Sequence, residues 1–209
     1  IKRQDIIRAH ETPGYFRKKG MDVEIGSPRF ISPGQLEING RTLESRRFVI
    51  ATGSRPKIPE IDGIRQVDFF TNETVFMNRE LPEHLLVIGA GPIGIEMAQA
   101  YRRLGSQVTV IDMADRVLPR EDEEVSRELM AILEDEGVRF YLSAVPTAFT
   151  GPRSLTVRQN DTHNGQQELE LEFHRVLVAA GRQLNIEGMD LENAGVKIKN
   201  EKIITDSYV

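Results

Sequence analysis

The length, composition and charge of the chain are those of a globular protein and exclude several other classes. The 209 residues are 39% hydrophobic and 28% charged, and the formal net charge of −5 gives no clustered basic excess of the kind a nucleic-acid-binding surface needs. No run approaches the roughly 18 apolar residues of a membrane span, and no basic-then-apolar leader opens the chain. We therefore expect neither a nucleic acid nor a membrane as a partner, and a cytoplasmic location by default.

The first 70 residues contain short elements separated by turns. Residues 1–22 have a helical pattern that Pro13-Gly14 interrupts, and Asn39-Gly40 lies between two short alternating runs, which predicts a tight β-hairpin. The run "RFVIATG" (47–53) predicts a buried strand that enters a Gly-Ser turn. The segment "RPKIPEIDG" (55–63), with two prolines and a glycine, predicts an irregular crossing and is a candidate domain boundary.

From Thr71 the pattern changes to strands that alternate with helices. Two helices are predicted, one over 92–105 and one over 120–137, each with a glycine at its end. Strands are predicted at 85–90, 107–112, 138–142 and 175–182, the first and the last of them buried, and a β-meander of short strands is predicted between 145 and 173. This order predicts an α/β fold, a Rossmann-like domain with a small antiparallel insert.

Most of the candidate cofactor-binding residues lie in "LLVIGAGPIGIEMAQAYRRLGSQVTVID", which runs from Leu85 to Asp112. Gly89, Gly91 and Gly94 form G-x-G-x-x-G between a strand and a helix. The first glycine allows a tight turn, the second lets the backbone approach a pyrophosphate, and the third lets helix and strand pack closely. The N-terminus of the helix offers N–H groups and a partial positive charge to the diphosphate. The intervening residues of this candidate cofactor site are Ala90, Pro92 and Ile93.

An acidic residue about 20 positions after the first glycine is the expected partner of such a loop. Asp112 lies 23 positions after Gly89 (112 − 89), at the end of the second predicted strand. Its carboxylate would accept hydrogen bonds from an adenosine ribose and repel a 2′-phosphate, so the sequence favours NAD. NADP stays open because Arg116 follows shortly after. The plainer alternative is a bare strand–turn–helix in which Asp112 only caps the next turn.

Three motifs, in their order and spacing, are similar to those of one enzyme family. They are "VIATGSRPKIPEIDG" (49–63), "HLLVIGAGPIGIEMAQAYRRLGSQVTVID" (84–112) and "VLVAAGRQLNIEGMDLENAGV" (176–196). They resemble the FAD-dependent pyridine nucleotide-disulfide oxidoreductases, most closely the branch of dihydrolipoamide dehydrogenases and mercuric reductases. The resemblance covers nearly the whole chain. It implies that an NAD(P)-binding domain, 71–180, is inserted in a partial FAD-binding domain whose segments are 1–70 and 181–209.

The resemblance also implies roles on the nicotinamide side. Glu96 matches the family's acid near the nicotinamide end, although a charge on a helix surface is an equally good interpretation of this residue. Val145 matches a position that contacts adenine through backbone atoms, and Gly181 matches the glycine beside the nicotinamide ribose.

On the flavin side, Thr52, Gly53 and Ser54 match the turn that passes the flavin nucleotide, where small residues allow close approach. Without the resemblance, an ordinary strand and turn would be the better interpretation. The family's earlier G-x-G-x-x-G, its C-x-x-x-x-C redox pair, its later Gly-Asp motif and its catalytic His-Glu pair do not occur in these 209 residues. The chain starts at Ile1 without Met and stops after the strand-like run "KIITDSYV", so we expect it to be part of a longer protein.

The residue inventory limits the chemistry of these residues themselves. Cysteine is absent, which excludes disulfides, thiolate zinc sites, a cysteine nucleophile and thiol–disulfide exchange within the chain. The four histidines match no catalytic position of the family, and we predict surface or capping roles for them: His10, His84, His163 and His174.

The resemblance implies a relay in which NAD(P)H, FAD and a redox-active disulfide exchange electrons, with a small-molecule acceptor and a homodimeric parent protein. We expect this part alone to bind NAD(H) weakly, to hold no tightly bound FAD and to have negligible turnover. Two alternatives remain. One is a thiol-independent flavoprotein such as an NADH oxidase or ferredoxin reductase relative, although "PREDEEVS" (119–126) is closer to the dihydrolipoamide and mercuric reductase branch. The other is a non-catalytic nucleotide-binding module.

Overall fold

The computed structural model describes residues 10–161 and 165–207. The first nine residues of the predicted helical stretch, His163 and the last two residues of the strand-like run lie outside the described residues. The chain forms two compact units. Unit 1 extends through Gly53 and resumes at Leu184, whereas unit 2 runs without interruption from Ser54 to Gln183. Unit 2 is thus inserted in sequence between two segments of unit 1.

The first segment of unit 1 begins with a short helix, α1 (Pro13–Lys18). The Thr12 hydroxyl accepts a hydrogen bond from the amide of Tyr15 at 3.2 Å, and Pro13 occupies the first helical position. In the described part of the stretch with a helical pattern, residues 10–12 are not helical and α1 begins at Pro13. A proline at this position starts a helix, because the N–H that it lacks would have no intrahelical partner there.

Three antiparallel strands follow in unit 1: β1 (Arg29–Ser32), β2 (Gln35–Ile38) and β3 (Arg41–Glu44). Asn39 and Gly40 connect β2 to β3 with φ angles of 52° and 74°, the pair of positive values that a type I′ turn needs. The predicted hairpin is confirmed. The strand predicted at 47–53 is wrong: this segment has no regular structure, and Val49 is 91% exposed.

Unit 2 contains a five-stranded parallel sheet. Its elements in chain order are β4 (Ser54–Pro56), β5 (Phe69–Phe70), β6 (His84–Ile88), α2 (Pro92–Leu104), β7 (Gln107–Ile111), α3 (Glu123–Asp135), β8 (Val138–Tyr141), β9 (Ala144–Gly151), β10 (Ser154–Asp161), β11 (Gly165–Glu172), β12 (Arg175–Val178) and β13 (Arg182–Leu184), whose last residue lies in unit 1. The strand order of the sheet is β5-β12-β6-β7-β8. The two predicted helices and the four predicted strands are confirmed.

Both faces of the parallel sheet are covered, which explains why its strands are mostly apolar. On β6, Leu85 and Val87 pack with apolar residues of α2 and α3, among them Ile95 and Leu133. The alternate residues of β6 belong to a second cluster that includes Leu155 of β10. The strands β9, β10 and β11 form the antiparallel meander that supplies this second layer.

The α/β class with a Rossmann-like parallel sheet and a β-meander is therefore confirmed. In unit 1 the chain ends with a short hairpin, β14 (Ile198–Lys199) and β15 (Lys202–Ile203), and a small core around Phe30, Met189 and Leu191. None of the helices in the described parts of the chain has both the length and the hydropathy that a bilayer crossing requires.

Candidate functional site

The glycine loop lies where the strand order of the sheet reverses. From β6 the chain moves outward through β7 and β8, and it then returns to β12 on the other side of β6. In open α/β sheets, ligands bind outside the carboxyl ends of the strands at such a switch point. The loop 89–91 follows the carboxyl end of β6 at this position. A cleft of about 360 Å³ near Asp68, Arg153 and His174 contains none of the predicted site residues.

At two of the three glycine positions, backbone packing leaves no room for a side chain. Gly89 has a φ of +113°, and a Cβ there would lie 2.4 Å from the carbonyl oxygen of Ala179, just beyond β12. A Cβ on Gly94 would lie 1.9 Å from the carbonyl oxygen of Gly89. Glycine at these two positions therefore permits the tight turn after β6 and the close packing of α2 on the strand end.

Gly91 differs from the other two glycines. Its φ of −74° suits any residue, and a Cβ there would meet no atom within 4 Å. Gly91 is also the N-cap of α2, and no side chain caps this helix end. The packing of the described chain thus gives no reason for a glycine at this position, and the open space borders the positive end of a helix dipole.

Asp112 directly contacts the glycine loop. It follows β7, and its Oδ2 accepts a hydrogen bond from the amide of Ala90 at 2.6 Å. Its Oδ1 accepts another from the amide of Ala114 at 2.7 Å. The structure thus brings together the loop and the acid that the sequence paired. It also places Asp112 at a turn, as the plainer alternative proposed.

The other residues assigned to the nicotinamide side lie on separate elements of unit 2. Glu96 is exposed on α2. Val145 is half-buried in β9, where it pairs with Arg158. Gly181 follows β12 with a φ of +116°, and its carbonyl oxygen accepts a hydrogen bond from the amide of Lys57 at 3.0 Å.

The three residues assigned to the flavin turn fall in different units. In unit 1, Thr52 and Gly53 are exposed, and their carbonyl oxygens accept hydrogen bonds from the side chain and the amide of Asn185, each at 3.1 Å. In unit 2, the Ser54 hydroxyl accepts a hydrogen bond from the Arg182 guanidinium at 2.7 Å. A Cβ on Gly53 would meet nothing within 4 Å.

Three of the four histidines are described, and all make local contacts. The rings of His10 and Tyr15 lie next to each other in a tilted arrangement, and Nδ1 of His174 accepts a hydrogen bond from the amide of Glu83 at 3.3 Å. The imidazole of His84 lies 2.8 Å from the hydroxyl of Thr109, which is almost fully buried. Burial, and secondly the positive charge of Arg139, lower the pKa of His84 below its ordinary value.

Two residues that contact the glycine loop were not predicted from the sequence. Ala179 limits the space at Gly89, and Leu118, with a φ of 46°, donates its amide to the carbonyl oxygen of Ala90 at 2.9 Å. The run of small residues in "VAAGR" is a signal for the first. No pattern signals the second, because leucine rarely adopts a positive φ.

Comparison with known proteins identifies the family. The family profile described as pyridine nucleotide-disulphide oxidoreductase matches residues 5–209. The chain is 34% identical to the mercuric reductase of Staphylococcus aureus, over 91% of this chain and 35% of the relative. It is 35% identical to the dihydrolipoyl dehydrogenase of Thermus scotoductus, over 89% of this chain and 41% of the relative.

A solved structure agrees as well. The Cu(II) complex of the HOCl-induced flavoprotein disulfide reductase RclA from Escherichia coli superposes with a TM-score of 0.79 at 27% identity, covering 97% of this chain and 46% of that one. The chain spans less than half the length of the relatives named here. The glycine loop, the acid that holds it and the agreement along nearly the whole chain lead to one conclusion: the chain belongs to the pyridine nucleotide-disulphide oxidoreductase family.

Proposed function

We propose that this chain is the nicotinamide-nucleotide-binding part of a flavoprotein disulfide oxidoreductase, and that its glycine loop binds NAD(H) in preference to NADP(H). The observation that carries the proposal is Gly91. Its backbone suits any residue, and a Cβ there would meet only open space. The approach of a diphosphate to the N-terminus of α2 supplies the missing reason for a glycine at this position.

The residues around the loop would hold the two ends of the nucleotide. The amides at the start of α2 bind the diphosphate, and the Asp112 carboxylate has lone pairs left for the adenosine ribose. Glu96 and Gly181 serve the nicotinamide end, and the backbone of Val145 serves the adenine. In the whole protein, Thr52, Gly53 and Ser54 would contact FAD.

When bound, the cofactors supply the redox chemistry, hydride transfer between nicotinamide and flavin and electron transfer to a disulfide; this chain supplies their position. The whole protein is a cytoplasmic homodimer with a small-molecule electron acceptor under this proposal. The relatives named above favour a disulfide reductase over a thiol-independent flavoprotein or a non-catalytic module, because they include a mercuric reductase and a dihydrolipoyl dehydrogenase.

The preference for NAD(H) rests on the charges at the end of β7. Asp112 would repel the 2′-phosphate of NADP(H). Arg116, the nearest candidate to attract that phosphate, donates a hydrogen bond to the carbonyl oxygen of Pro119 at 3.2 Å. This contact directs the guanidinium to the chain's own backbone.

The test is a calorimetric titration of the chain with NADH and then NADPH, after its visible spectrum has been recorded. We expect a colourless protein that binds NADH more tightly than NADPH, and no NADH-driven dye reduction. We also expect Gly91→Ala to lose NADH affinity with only a small change in thermal unfolding, because the added Cβ meets no atom of the chain within 4 Å and occupies the space proposed for the diphosphate. Equal NADH binding by this variant, or no binding by the parent chain, would contradict the proposal.

A further inference from the structure

Every polar group of Asp112 has a partner in the chain. Its amide donates to the carbonyl oxygen of Tyr141 at 3.0 Å, and its own carbonyl oxygen accepts from the amide of Ala144 at 2.9 Å. Its two carboxylate oxygens accept from the amides of Ala90 and Ala114. Asp112 thus links the glycine loop, the segment after β7 and the junction between β8 and β9.

The partners of Asp112 are themselves held on both sides. The carbonyl oxygen of Ala90 accepts from the amide of Leu118 at 2.9 Å, and that of Ala114 accepts from the amide of Ser143 at 2.8 Å. Ala90, the residue between the first two glycines, therefore has its N–H and its C=O both bonded to the segment that follows β7.

We propose that Asp112 is a positioning residue, which holds the glycine loop in its binding conformation before a nucleotide arrives and so contributes to binding of the phosphates as well as the ribose. The inference rests on the proposed function for its ligand. Its structural part stands on the four hydrogen bonds alone. A residue that acted only on the ribose would leave the loop unchanged when it was replaced.

The chemistry of the two partners explains why a carboxylate is needed here. Both Ala90 and Ala114 present N–H donors, and only a carboxylate has two acceptor oxygens at its ends. Asparagine has nearly the same shape but one acceptor, so Asp112→Asn turns an NH₂ group toward one of these amides. Asp112→Glu keeps both acceptors and tests for rescue.

The first experiment measures amide hydrogen exchange by NMR in the ligand-free chain. We expect exchange at Ala90 or Ala114 to be faster by about tenfold or more in Asp112→Asn, the factor that a charge-assisted hydrogen bond contributes. Exchange in the middle of β6 should stay unchanged, and Asp112→Glu should restore part of the protection. Unchanged exchange at both amides would overturn the inference whether or not the chain binds a nucleotide.

The second experiment compares NADH with reduced nicotinamide mononucleotide, which carries a phosphate but no adenosine ribose. We expect Asp112→Asn to weaken the binding of both ligands, the mononucleotide by about tenfold and NADH by at least as much, because NADH also loses its ribose contact. Weaker binding of NADH alone would overturn the inference and leave the proposed function standing. Absence of NADH binding in the parent chain would instead defeat the proposed function, and the exchange result would still decide the role of Asp112.

Ser106→Ala is the matched control. The Ser106 hydroxyl is fully buried and donates to the carbonyl oxygen of Pro82 at 2.6 Å, before the amino end of β7 and outside the glycine loop. This variant also loses a hydrogen bond of unit 2. It should reduce stability while leaving exchange at Ala90 and the affinity for both ligands as in the parent chain.

Discussion

At the scale of single residues, the three glycines of the G-x-G-x-x-G motif differ in whether backbone packing requires them. A Cβ on Gly94 would lie 1.9 Å from a backbone oxygen, and one on Gly91 would meet nothing within 4 Å. We therefore predict that Gly94→Ala lowers the free energy of unfolding by about 1–3 kcal/mol or more, as overpacking does. Gly91→Ala should lower it by no more than about 1 kcal/mol, the cost of alanine in place of glycine at an N-cap.

Urea unfolding of the two variants beside the parent chain measures this difference. A Gly94→Ala variant as stable as Gly91→Ala would mean that α2 shifts away from the strand end at little cost. Such a result would contradict the packing that we describe at Gly89.

The histidine in the sheet predicts a pH dependence. Burial and Arg139 lower the pKa of folded His84 below the ordinary value of 6.5, so just below that pH the unfolded chain binds more protons than the folded chain. Stability should therefore fall as the pH drops through this range, and this contribution should level off below the folded-state pKa.

Unfolding measured between about pH 7.5 and pH 5 checks this, with His84→Gln as the reference. Glutamine can still form a hydrogen bond with the Thr109 hydroxyl but does not titrate. The His84→Gln variant should therefore lose less stability on acidification than the parent chain. Equal losses in the two proteins would show that His84 is not the group responsible.

Sequence patterns predict only some of the residues of the candidate site. Gly89, Gly91, Gly94 and Asp112 follow from spacing, because a short strand–turn–helix unit fixes their geometry locally. The bond between Leu118 and Ala90 depends on a backbone conformation that leucine rarely adopts. Such a contact is decided by tertiary packing and leaves no pattern in the sequence.

At the scale of elements, a comparison of two apolar runs shows what the sequence can specify. The run at 84–88 becomes β6 because β7 and β12 flank it and supply backbone partners on both sides. The run at 47–53 has the same apolar character and forms no strand. Hydrophobicity predicts burial, but a strand also needs a neighbour, and only the assembled fold reveals which runs have one.

The meander is a layer of the core, and this predicts the cost of truncating it. Leu155 of β10 is fully buried against the parallel sheet. Leu155→Ala should lower the free energy of unfolding by about 2–5 kcal/mol. Ile132→Ala on α3 is the matched control, because Ile132 is 52% exposed and should lose much less. Similar midpoints of thermal unfolding for the two variants would mean that the meander is peripheral.

At the scale of the whole molecule, the position of the domain boundary becomes testable. The sequence and its family resemblance predict an NAD(P)-binding domain over 71–180, whereas the compact unit begins at Ser54. Ile61, Ile64 and Val67 belong to the buried cluster on the meander side of the sheet. A cut at 70/71 would remove these apolar side chains from the core.

We predict that a polypeptide of residues 54–183 unfolds cooperatively and retains the NADH affinity of the whole chain. The polypeptide 71–180 should be less stable or fail to fold. Circular dichroism during heating and an NADH titration compare them. Equal stability of the two would favour the boundary at 70/71.

The outer strand of the meander has a consequence for how copies of this protein meet in solution. In the described sheet β11 is an edge strand, and its exposed face carries Glu168, Glu170 and Glu172. Hydrogen bonds from the hydroxyls of Ser154 and Thr150 lower the pKa of Glu170, so this carboxylate stays ionised at more acidic pH than a free glutamate. Like charges along an exposed edge strand oppose strand-to-strand aggregation. Because Glu170 keeps its negative charge at a pH at which glutamates without such hydrogen bonds become protonated, β11 retains part of this repulsion under acidic conditions.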